Sequence, residues 1–526
     1  MALFAAVLAV YAPALTYSPP SLHEAEALFG LHAHAIASTA HDLDGRFLPL
    51  YFQMQPIGDN VWFHPAIVYF TALFFQVLPF SEWAIRFPST VVAAIDVVLL
   101  YLIAARFFKE RWQAVLAATL LAMTPAHFVN GRIATDYVYP IPFVLGWMLC
   151  LLSYLEKRRT SVLFLGGTIL GVGFYSYIAS VIMMPLYLVF TWLMLFLSIE
   201  KPARPCLIAT AGFAWPLTLL PLWFYSHPEM LSQTLARYGV PEADLLVDFG
   251  NKPLADILEE LRRPLRFTGL TGRVSLYWYF FDPSFLFLTG GYANMVNSTR
   301  RVGVFLFPFF VLLPVGLWRV ASELKRPLNV LLLLGFFTAP LAACLVVPEP
   351  YAIDREMTIL PFGVLLATAG IASLWDSGAR WRTAARALVV IAVCHFGFLL
   401  FDYFGEYRGR AAPWFNRNHP GAIAEILKRE TDEDSRPIYL SRSRDDRYIE
   451  VYWRLALEKH RRQALLKRTV YYEDRTFDLT AVPAGSLLLS STEDSRVNAL
   501  VAEGALHRLV QIPEPSAEPY FSILQK

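Results

Sequence analysis

Residues 18–65 form a polar segment that concentrates ionisable side chains in a chain otherwise rich in apolar residues. Its acidic residues and histidines are His23, Glu24, Glu26, His32, His34, His41, Asp42, Asp44, Asp59 and His64. A positioned carboxylate can take a proton from a reacting hydroxyl, and histidine changes charge near neutral pH. The segment follows a short apolar opening stretch, which suggests a first membrane span. We expect a membrane protein that places so many ionisable groups beside its first span to use them for chemistry.

Three histidines of the polar segment, His32, His34 and His41, raise the alternative of a metal site. The spacing of His32 and His34 does not present two ligands on one helical face, and no His-Glu-x-x-His pattern occurs. The four cysteines also lack metal-ligand spacing, and they fall within or beside apolar stretches. We therefore predict no metal and no cofactor.

The composition is that of a polytopic helical membrane protein. Of 526 residues, 56% are hydrophobic and 17% charged, and the mean hydropathy is +0.44. Soluble domains are roughly 45–50% apolar and about 25% charged. A net charge of +2 gives no reason to expect a nucleic acid as partner.

Hydropathy predicts about eleven membrane spans. They lie near residues 2–16, 84–105, 113–128, 136–154, 162–178, 180–198, 206–225, 302–318, 328–346, 357–374 and 387–402. Residues 65–79 are apolar but short, which suits a helix in the membrane interface. The opening stretch could be a cleaved signal peptide, but we predict a retained first span because it lacks a basic start.

Basic turns between the predicted spans all fall on one side of the membrane. These turns are residues 106–111, 156–159, 200–204, 318–326 and 380–386. Positive charge marks the cytoplasmic side, so the N-terminus is predicted to be cytoplasmic. The polar segment, the turns at 129–136 and 347–356, the loop 226–300 and the C-terminal tail are then predicted to share the outer face.

The chain is predicted to have two domains. Residues 1–404 form a transmembrane domain with a first outer loop (17–83) and a long outer loop (226–300), which includes an amphipathic stretch at 253–267. Residues 405–526 are more polar and alternate predicted strands and helices, which indicates a small α/β domain outside the membrane. The predicted strands are 437–441, 469–472 and 486–490, and the predicted helices are 419–429, 446–461 and 495–503.

Four motifs follow one another in the first outer loop. They are His23-Glu24-Ala25, the stretch Gly45-Arg46-Phe47-Leu48-Pro49-Leu50-Tyr51-Phe52, the element His64-Pro65-Ala66-Ile67-Val68-Tyr69, and Ser81-Glu82-Trp83-Ala84-Ile85-Arg86-Phe87-Pro88-Ser89. Their order resembles the glycosyltransferase-C (GT-C) superfamily over roughly residues 15–375. The closest branch is that of dolichyl-phosphate-mannose–protein mannosyltransferases and bacterial aminoarabinose transferases. Where that family has Asp and Lys, this chain has His23 and His64.

The resemblance implies a GT-C fold, a bacterial inner membrane location with a periplasmic C-terminal domain, and an inverting glycosyltransferase. Such an enzyme moves a sugar from a polyprenyl-phosphate donor to an acceptor hydroxyl of an envelope glycan, lipid A, a lipid or a protein. The alternatives are a transporter or flippase of lipid-linked glycans, which would carry internal repeats with a midplane site, and a membrane-anchored binding protein that acts through its tail.

The resemblance also implies roles for particular residues. Glu24 is the expected general base and Glu26 the runner-up, although a carboxylate at a helix N-terminus can simply favour the helix dipole. The expected contacts of the donor phosphate are His64, Arg132 and Arg355, and those of the sugar or acceptor are His23, Asp42 and Asp136. An arginine at a membrane boundary can instead reach towards lipid headgroups.

Overall fold

The computed structural model describes residues 1–526 except 56–60, 231–232, 234–274, 292–293, 346–348, 432–433, 443–447, 474–475 and 516–517. Most of the loop 226–300, including the stretch 253–267 predicted to be amphipathic, lies outside the described residues, as does Asp59.

Helices dominate the described part of the chain up to residue 404. In the first half they are α1 (Ala2–Tyr11), α2 (Glu24–Thr39), α3 (Ala66–Phe75), α4 (Glu82–Phe107), α5 (Arg111–Met123), α6 (Pro125–Asn130), α7 (Pro140–Lys157), α8 (Thr160–Gly173), α9 (Ser180–Ser198), α10 (Ala203–Leu217) and α11 (Leu219–Ser226). The second half adds α12 (Phe309–Ala321), α13 (Pro327–Thr338), α14 (Pro340–Leu345), α15 (Ile359–Asp376) and α16 (Ala379–Phe404). The predicted helical membrane fold is therefore confirmed.

Seven helices within the described residues are long and apolar enough to cross a membrane. They are Glu82–Phe107, Asp136–Lys157, Ser180–Ser198, Ala203–Ser226, Pro327–Leu345, Ile359–Asp376 and Ala379–Phe404. The other four predicted spans fall on shorter helices, namely α1, α5 with α6, α8 and α12. The expected number of about eleven is reached only when these shorter helices are counted.

Helices α8 and α10 approach each other closely because glycines line their contact. A Cβ atom on Gly167 would lie 2.2 Å from the Ala209 carbonyl oxygen, and one on Gly212 would lie 2.3 Å from that of Phe164. Small residues let apolar helices approach backbone to backbone, where van der Waals contact is the main attraction within a bilayer. This contact holds together two of the helices that border the apolar cavity described below.

The C-terminal part contains a five-stranded sheet with the strand order β4-β3-β5-β7-β6. Its strands are β3 (Ile438–Ser441), β4 (Thr469–Tyr472), β5 (Leu487–Ser491), β6 (His507–Ile512) and β7 (Phe521–Gln525), and its helices are α17 (Tyr407–Ala411), α18 (His419–Arg429), α19 (Ile449–His460) and α20 (Ser495–Ala502). Strand β3 runs parallel to β4 and β5, whereas β7 is antiparallel to β5 and β6. Strands β6 and β7 were not predicted, and the domain boundary after residue 404 stays a prediction.

The first outer loop folds back against the C-terminal part. It contains α2, a short antiparallel pair β1 (Phe52–Gln53) and β2 (Trp62–Phe63), and α3. The hydroxyl of Ser18 donates at 2.6 Å to the carbonyl oxygen of Tyr403 at the end of α16, and that of Ser21 donates at 2.6 Å to the carbonyl oxygen of Phe415 in the C-terminal part. Farther along, His34 pairs with Glu458 at 3.1 Å. Hydrogen bonds between groups nearly 400 residues apart thus place this loop.

A buried ion pair anchors the start of α2. Arg86 on α4 donates from Nε and Nη2 to the two carboxylate oxygens of Glu26, both at 2.8 Å. Both side chains are at most 1% exposed. The remaining Arg86 donors reach the carbonyl oxygens of Leu15, Pro19 and Ser21. A buried guanidinium needs this degree of compensation because its desolvation is costly.

Replacing Arg86 with Met should destabilise the protein by about 3–5 kcal/mol, because it leaves the Glu26 carboxylate buried without its counter-ion. Thermal unfolding of the purified protein in detergent measures the change. The matched control is Arg106→Met on the same helix, since Arg106 lies 3.7 Å from Glu156 in a partly exposed pair. Such a pair contributes about 1 kcal/mol or less. Equal losses of stability in the two variants would contradict the assignment.

Candidate active site

Glu24 is the first residue of α2, and the side chain of His23 holds its carboxylate. The His23 Nδ1 atom accepts a hydrogen bond from the Ala25 backbone N–H at 3.3 Å and so caps the helix. Its Nε2 atom lies 3.0 Å from Glu24 Oε2. Nε2 can donate to Glu24 in both the neutral and the protonated ring, whereas Nδ1 can accept from Ala25 only in the neutral ring.

The C-terminal part also contacts Glu24. The side-chain amide of Asn416 donates to Glu24 Oε2. It also donates to the hydroxyl of Tyr452 at 3.0 Å, and that hydroxyl donates to the Leu22 carbonyl oxygen at 2.8 Å. Neither Asn416 nor Tyr452 was predicted from sequence, because no motif links them to a residue about 400 positions earlier. Both side-chain contacts of Glu24 fall on Oε2, and Oε1 takes part in neither.

The surroundings of Glu24 favour its ionised form. Burial opposes ionisation, but the positive charge and hydrogen bond of His23 and the hydrogen bond from Asn416 together hold the pKa of Glu24 below its usual value. The pKa of His23 is raised: burial and Arg86 lower it, but the charge and hydrogen bond of Glu24, together with the charge of Glu26, outweigh them. Glu24 is therefore a carboxylate at neutral pH, which a general base requires.

Glu26, the runner-up for the base, has no oxygen left for a substrate. Oε1 accepts from Arg86 and from the Ala134 backbone N–H at 2.7 Å. Oε2 accepts from Arg86 and from the His23 backbone N–H at 2.8 Å. The side chain is fully buried. These four bonds assign Glu26 a structural role in the capping of α2, which favours Glu24 between the two candidates.

Arg132 lies among backbone carbonyl groups. Its guanidinium donates to the carbonyl oxygens of Tyr11, Pro13, Ala14 and Ser18, and the residue is fully buried. Three aromatic rings surround it at 5.0–5.4 Å: those of Phe128, Tyr403 and Phe404. This placement argues against the expected contact of Arg132 with a donor phosphate. It assigns the side chain to the turn that precedes the polar segment.

Arg355 lies at a small pocket of about 10 Å³, which we call the polar pocket after the hydroxyl, carboxyl and guanidinium groups among its lining residues. The pocket is lined by Tyr137, Pro140, Tyr177, Ala179, Ser180, Met183, Asp354, Arg355, Met357 and Thr358. The Arg355 guanidinium contacts Glu349 at 2.9 Å and Asp354 at 3.8 Å and is 13% exposed. The Tyr177 hydroxyl donates to Asp354 at 3.1 Å. Tyr137 interacts electrostatically with Asp354, Asp136, Arg355 and Glu24, which relates this pocket to the start of α2.

Glu356 is a buried carboxyl group that was not predicted. Neither of its oxygens has a hydrogen-bond partner among the described residues, and the residue is fully buried. Burial, and secondarily the charge of Asp354, raises the pKa of Glu356 well above its usual value. Burial also raises the pKa of Asp354, with Arg355 acting in the opposite direction. The raised pKa favours the neutral form of Glu356, which limits the negative charge beside Arg355.

The remaining predicted contacts lie on three different segments of the chain. His64 follows β2 and packs edge-to-face on Tyr51 with ring centroids 5.2 Å apart. Asp42 accepts from the backbone N–H groups of Asp44 and Arg46 at 2.9 and 2.8 Å, so it closes its own loop. Asp136 begins a 3-10 turn, Asp136–Val138, beside the polar pocket.

The three histidines that raised the metal alternative lie apart. The His32 ring packs between Phe52 and Phe63, and His34 pairs with Glu458, as noted above. His41 is exposed and contacts the Thr39 carbonyl oxygen through Nδ1. Among the described residues, no group of three or more His, Cys, Asp or Glu side chains could hold a metal ion.

A large apolar cavity of about 710 Å³ lies between the first outer loop and the neighbouring helices. Its lining comes from the C-terminal half of α2, from α3, α4, α7, α8, α10 and the start of α11, and from Leu50, Pro65, Gln76, Tyr139 and Tyr175 in the connections. The volume lies in the range of about 300–1,000 Å³ that small-molecule sites occupy. Pro65 directly follows His64, so that histidine lies beside the cavity.

Residues 63–218 match the family model of dolichyl-phosphate-mannose-protein mannosyltransferases. The match covers less than a third of the chain and includes α3 to α10, with most of the cavity lining. No curated protein matches the chain. The resemblance inferred from the four motifs is thus supported independently over the region that contains the last two of them.

The fold is that of a GT-C glycosyltransferase. The crystal structure of ArnT from Cupriavidus metallidurans bound to undecaprenyl phosphate superposes with a TM-score of 0.60, at 13% identity, over 99% of this chain and 97% of that one. Its structure in the apo state gives a TM-score of 0.48 at 15% identity, with the same coverage of both chains. The archaeal oligosaccharyltransferase AglB from Archaeoglobus fulgidus, in complex with an inhibitory peptide and a dolichol-phosphate, gives 0.49 at 13% identity and covers 86% of this chain and 63% of that one.

The pair formed by His23 and Glu24 should stabilise the fold most between pH 4.5 and 6.5, the ordinary pKa values of the two groups. The raised pKa of His23 contributes stability below 6.5 that is lost as pH rises through the raised value. The lowered pKa of Glu24 contributes stability above 4.5 that is lost as pH falls through the lowered value. Thermal unfolding of wild-type and His23→Ala protein should therefore differ most within this window.

His41→Ala, which removes an exposed histidine of the same loop, controls for the loss of one imidazole. A difference between wild type and His23→Ala that stays constant from pH 4 to 9 would count against a charged pair.

Proposed function

We propose that this protein is an inverting glycosyltransferase that moves a sugar from a polyprenyl-phosphate donor to an acceptor hydroxyl. The observation that carries the proposal is that one apolar cavity and one polar pocket meet at the same two turns. Tyr139 and Tyr175 line the cavity, whereas Tyr137 and Tyr177 line the polar pocket. Each turn thus places one tyrosine in each compartment, two residues apart.

This junction suits a ligand with an apolar chain and an anionic head. The polyprenyl chain occupies the cavity, where apolar side chains replace water around it. The phosphate and sugar then extend towards Arg355 and Tyr137. Tyr137 interacts electrostatically with Glu24. The family match over residues 63–218, and a fold shared with an ArnT solved with undecaprenyl phosphate, support a donor of this class.

Glu24 acts as the general base in this proposal. The acceptor oxygen attacks the anomeric carbon on the side opposite the phosphate and transfers its proton to the carboxylate of Glu24. The new carbon–oxygen bond forms as the bond to the phosphate oxygen breaks, and the electron pair leaves with the phosphate. A single displacement of this kind inverts the anomeric configuration and needs one base, unlike the two carboxylates of a retaining hydrolase.

Arg355 and His64 are the proposed cationic contacts of the phosphate. Arginine offers forked donors that match phosphate oxygens, and Glu349 and Asp354 already orient the guanidinium of Arg355. His64 stands where the related family carries Lys, so its charge depends on protonation. Arg132 is not among the proposed phosphate contacts, because its guanidinium donates to four backbone carbonyl oxygens.

Asp136 is the proposed contact of the sugar hydroxyls, since it neighbours Tyr137 at the polar pocket. His23 orients the base, and Asp42 holds its own loop. The donor sugar is a hexose or pentose, and the acceptor is a hydroxyl of an envelope glycan, lipid A, a lipid or a protein. We place the reaction on the outer face of the bacterial plasma membrane, with a cytoplasmic N-terminus and a periplasmic C-terminal part.

Glu24→Gln should lower the transfer rate by about 10²–10⁴-fold, the usual contribution of general base catalysis. The amide keeps the size of the side chain and can no longer take a proton. The assay supplies purified protein with a radiolabelled polyprenyl-phosphate sugar extract and candidate acceptors. Asp44→Asn removes another carboxylate of the same loop and should transfer at the wild-type rate. Unchanged turnover in Glu24→Gln would contradict the assignment of Glu24 as the base. Movement of the donor across the membrane without sugar transfer would favour the transporter alternative.

Val172→Trp should raise the KM for the donor several-fold with little change in kcat, because it fills part of the apolar cavity and removes uniform binding. Val172 lines the cavity near the end of α8. Leu165→Trp is the matched control, since Leu165 lies seven residues earlier on α8, is 51% exposed, and is not part of the lining. Steady-state kinetics with varied donor measure both variants, and equal KM values for them would contradict the cavity assignment.

A further inference from the structure

The contact between Asn416 and Glu24 joins two parts of the chain that are 392 residues apart. Asn416 lies between the short turn Ala412–Phe415 and α18, at φ 56°, and Arg417 follows at φ 61°. Asparagine tolerates this left-handed conformation, but arginine adopts it rarely. Two successive residues of this kind indicate that the surrounding structure determines the course of the loop.

The hydrogen bonds around Asn416 determine the orientation of its amide. The Tyr452 hydroxyl gives its one proton to the Leu22 carbonyl oxygen, so it must accept from Asn416. The carboxylate of Glu24 can only accept. Both bonds therefore require the NH2 side of the amide, and the alternative flipped amide would place an oxygen against an anion.

The aromatic support of this loop is also specific. The His419 ring stacks on that of Tyr452, with centroids 4.7 Å apart and planes 18° apart. Its Nδ1 atom contacts the Asn416 carbonyl oxygen. Burial lowers the pKa of His419 to about 4, so the ring is neutral at pH 7. The backbone and the side chain of Asn416 are thus both held by groups of the C-terminal part.

We propose that Asn416 is a positioning residue for Glu24, so that the C-terminal part of the chain completes the active site built by the first outer loop. The inference rests on the proposed function, in which Glu24 is the general base. Asn416 and His23 both bind Oε2 and leave Oε1 to meet the acceptor hydroxyl. Without Asn416, the carboxylate loses its bond to the C-terminal part and keeps those to His23 and to its own backbone N–H, so its orientation is less well determined.

Several ionisable groups face Glu24 from the elements packed around it. They are His23 at the N-cap of α2, Tyr137 on the turn Asp136–Val138, His419 on α18 and Tyr452 on α19. Glu26 on α2 and Arg86 on α4 interact with His23, the partner of Glu24. Of these, the charge of His23 and the hydrogen bonds of His23 and Asn416 act to lower the pKa of Glu24. Loss of Asn416 alone should therefore raise the pKa of Glu24 and leave the other groups in place.

The test is Asn416→Gly, which removes the amide and tolerates the left-handed backbone. We expect kcat to fall about 10-fold, which corresponds to one net hydrogen bond to a charged group, while the KM for the donor stays within about two-fold. The acid limb of the kcat profile should move to higher pH. A purely structural role of Asn416 would leave that limb where it is.

Asn418→Gly is the matched control in the same loop. Asn418 caps α18 by accepting from the Gly421 N–H at 2.9 Å and has no contact with Glu24 among the described hydrogen bonds. Its kcat and acid limb should match those of wild type. Tyr452→Phe keeps the stacked ring, removes the hydroxyl that orients the amide, and should shift both quantities in the direction of Asn416→Gly. If Asn416→Gly fails to fold, the Tyr452→Phe variant alone tests the positioning role of Asn416.

Wild-type values of kcat and of the acid limb in Asn416→Gly, or equal losses in Asn418→Gly, would overturn the proposal. Absence of transfer by wild type with every donor overturns the proposed function instead. A double-mutant cycle on thermal unfolding with Glu24→Gln and Asn416→Gly then decides the positioning role alone. Non-additive shifts support it, and additive shifts overturn it.

Discussion

The buried ion pair of Arg86 and Glu26 is the interaction on which the start of α2 and the groups around it depend. Arg86 donates to three carbonyl oxygens of the chain before α2. Glu26 accepts from the backbone N–H groups of His23 and Ala134. These bonds determine where α2 begins and hence where the carboxylate of Glu24 points. Because two opposite charges are removed from water together, the pair needs further hydrogen bonds, and carbonyl oxygens and backbone N–H groups supply them.

Arg132 follows the same physical logic on the adjacent turn. Carbonyl groups of a non-helical turn need donors when they are buried near the membrane boundary, because neither water nor a helical ladder supplies them. Arg132 supplies donors to four such carbonyls, and aromatic rings cover its faces. Two buried arginines thus hold the chain between α1 and α2. The candidate cations for a phosphate are those at the pocket and cavity, Arg355 and His64.

Helix α2 connects the two chemical environments of the site. Its first residue, Glu24, lies among polar groups of the C-terminal part, whereas Ile36 and Ala37 line the apolar cavity. At 1.5 Å per residue, Glu24 and Ile36 are about 18 Å apart along the helix. The two turns that line the cavity with Tyr139 and Tyr175 also carry Tyr137 and Tyr177, which line the polar pocket. One helix therefore carries both the proposed base and a part of the cavity lining.

The sequence by itself determined the membrane class, the positions of the long apolar helices, three of the strands and the ordered motifs that mark Glu24. Hydropathy, periodicity and motif order are local properties, so they can be read without knowing the fold. Only the tertiary structure decided that Glu26 pairs with Arg86, that Arg132 donates to carbonyl groups, and that Asn416 contacts Glu24. Those outcomes depend on which groups meet across hundreds of residues, and the free energy of burying each polar atom depends on that packing rather than on its neighbours in the chain.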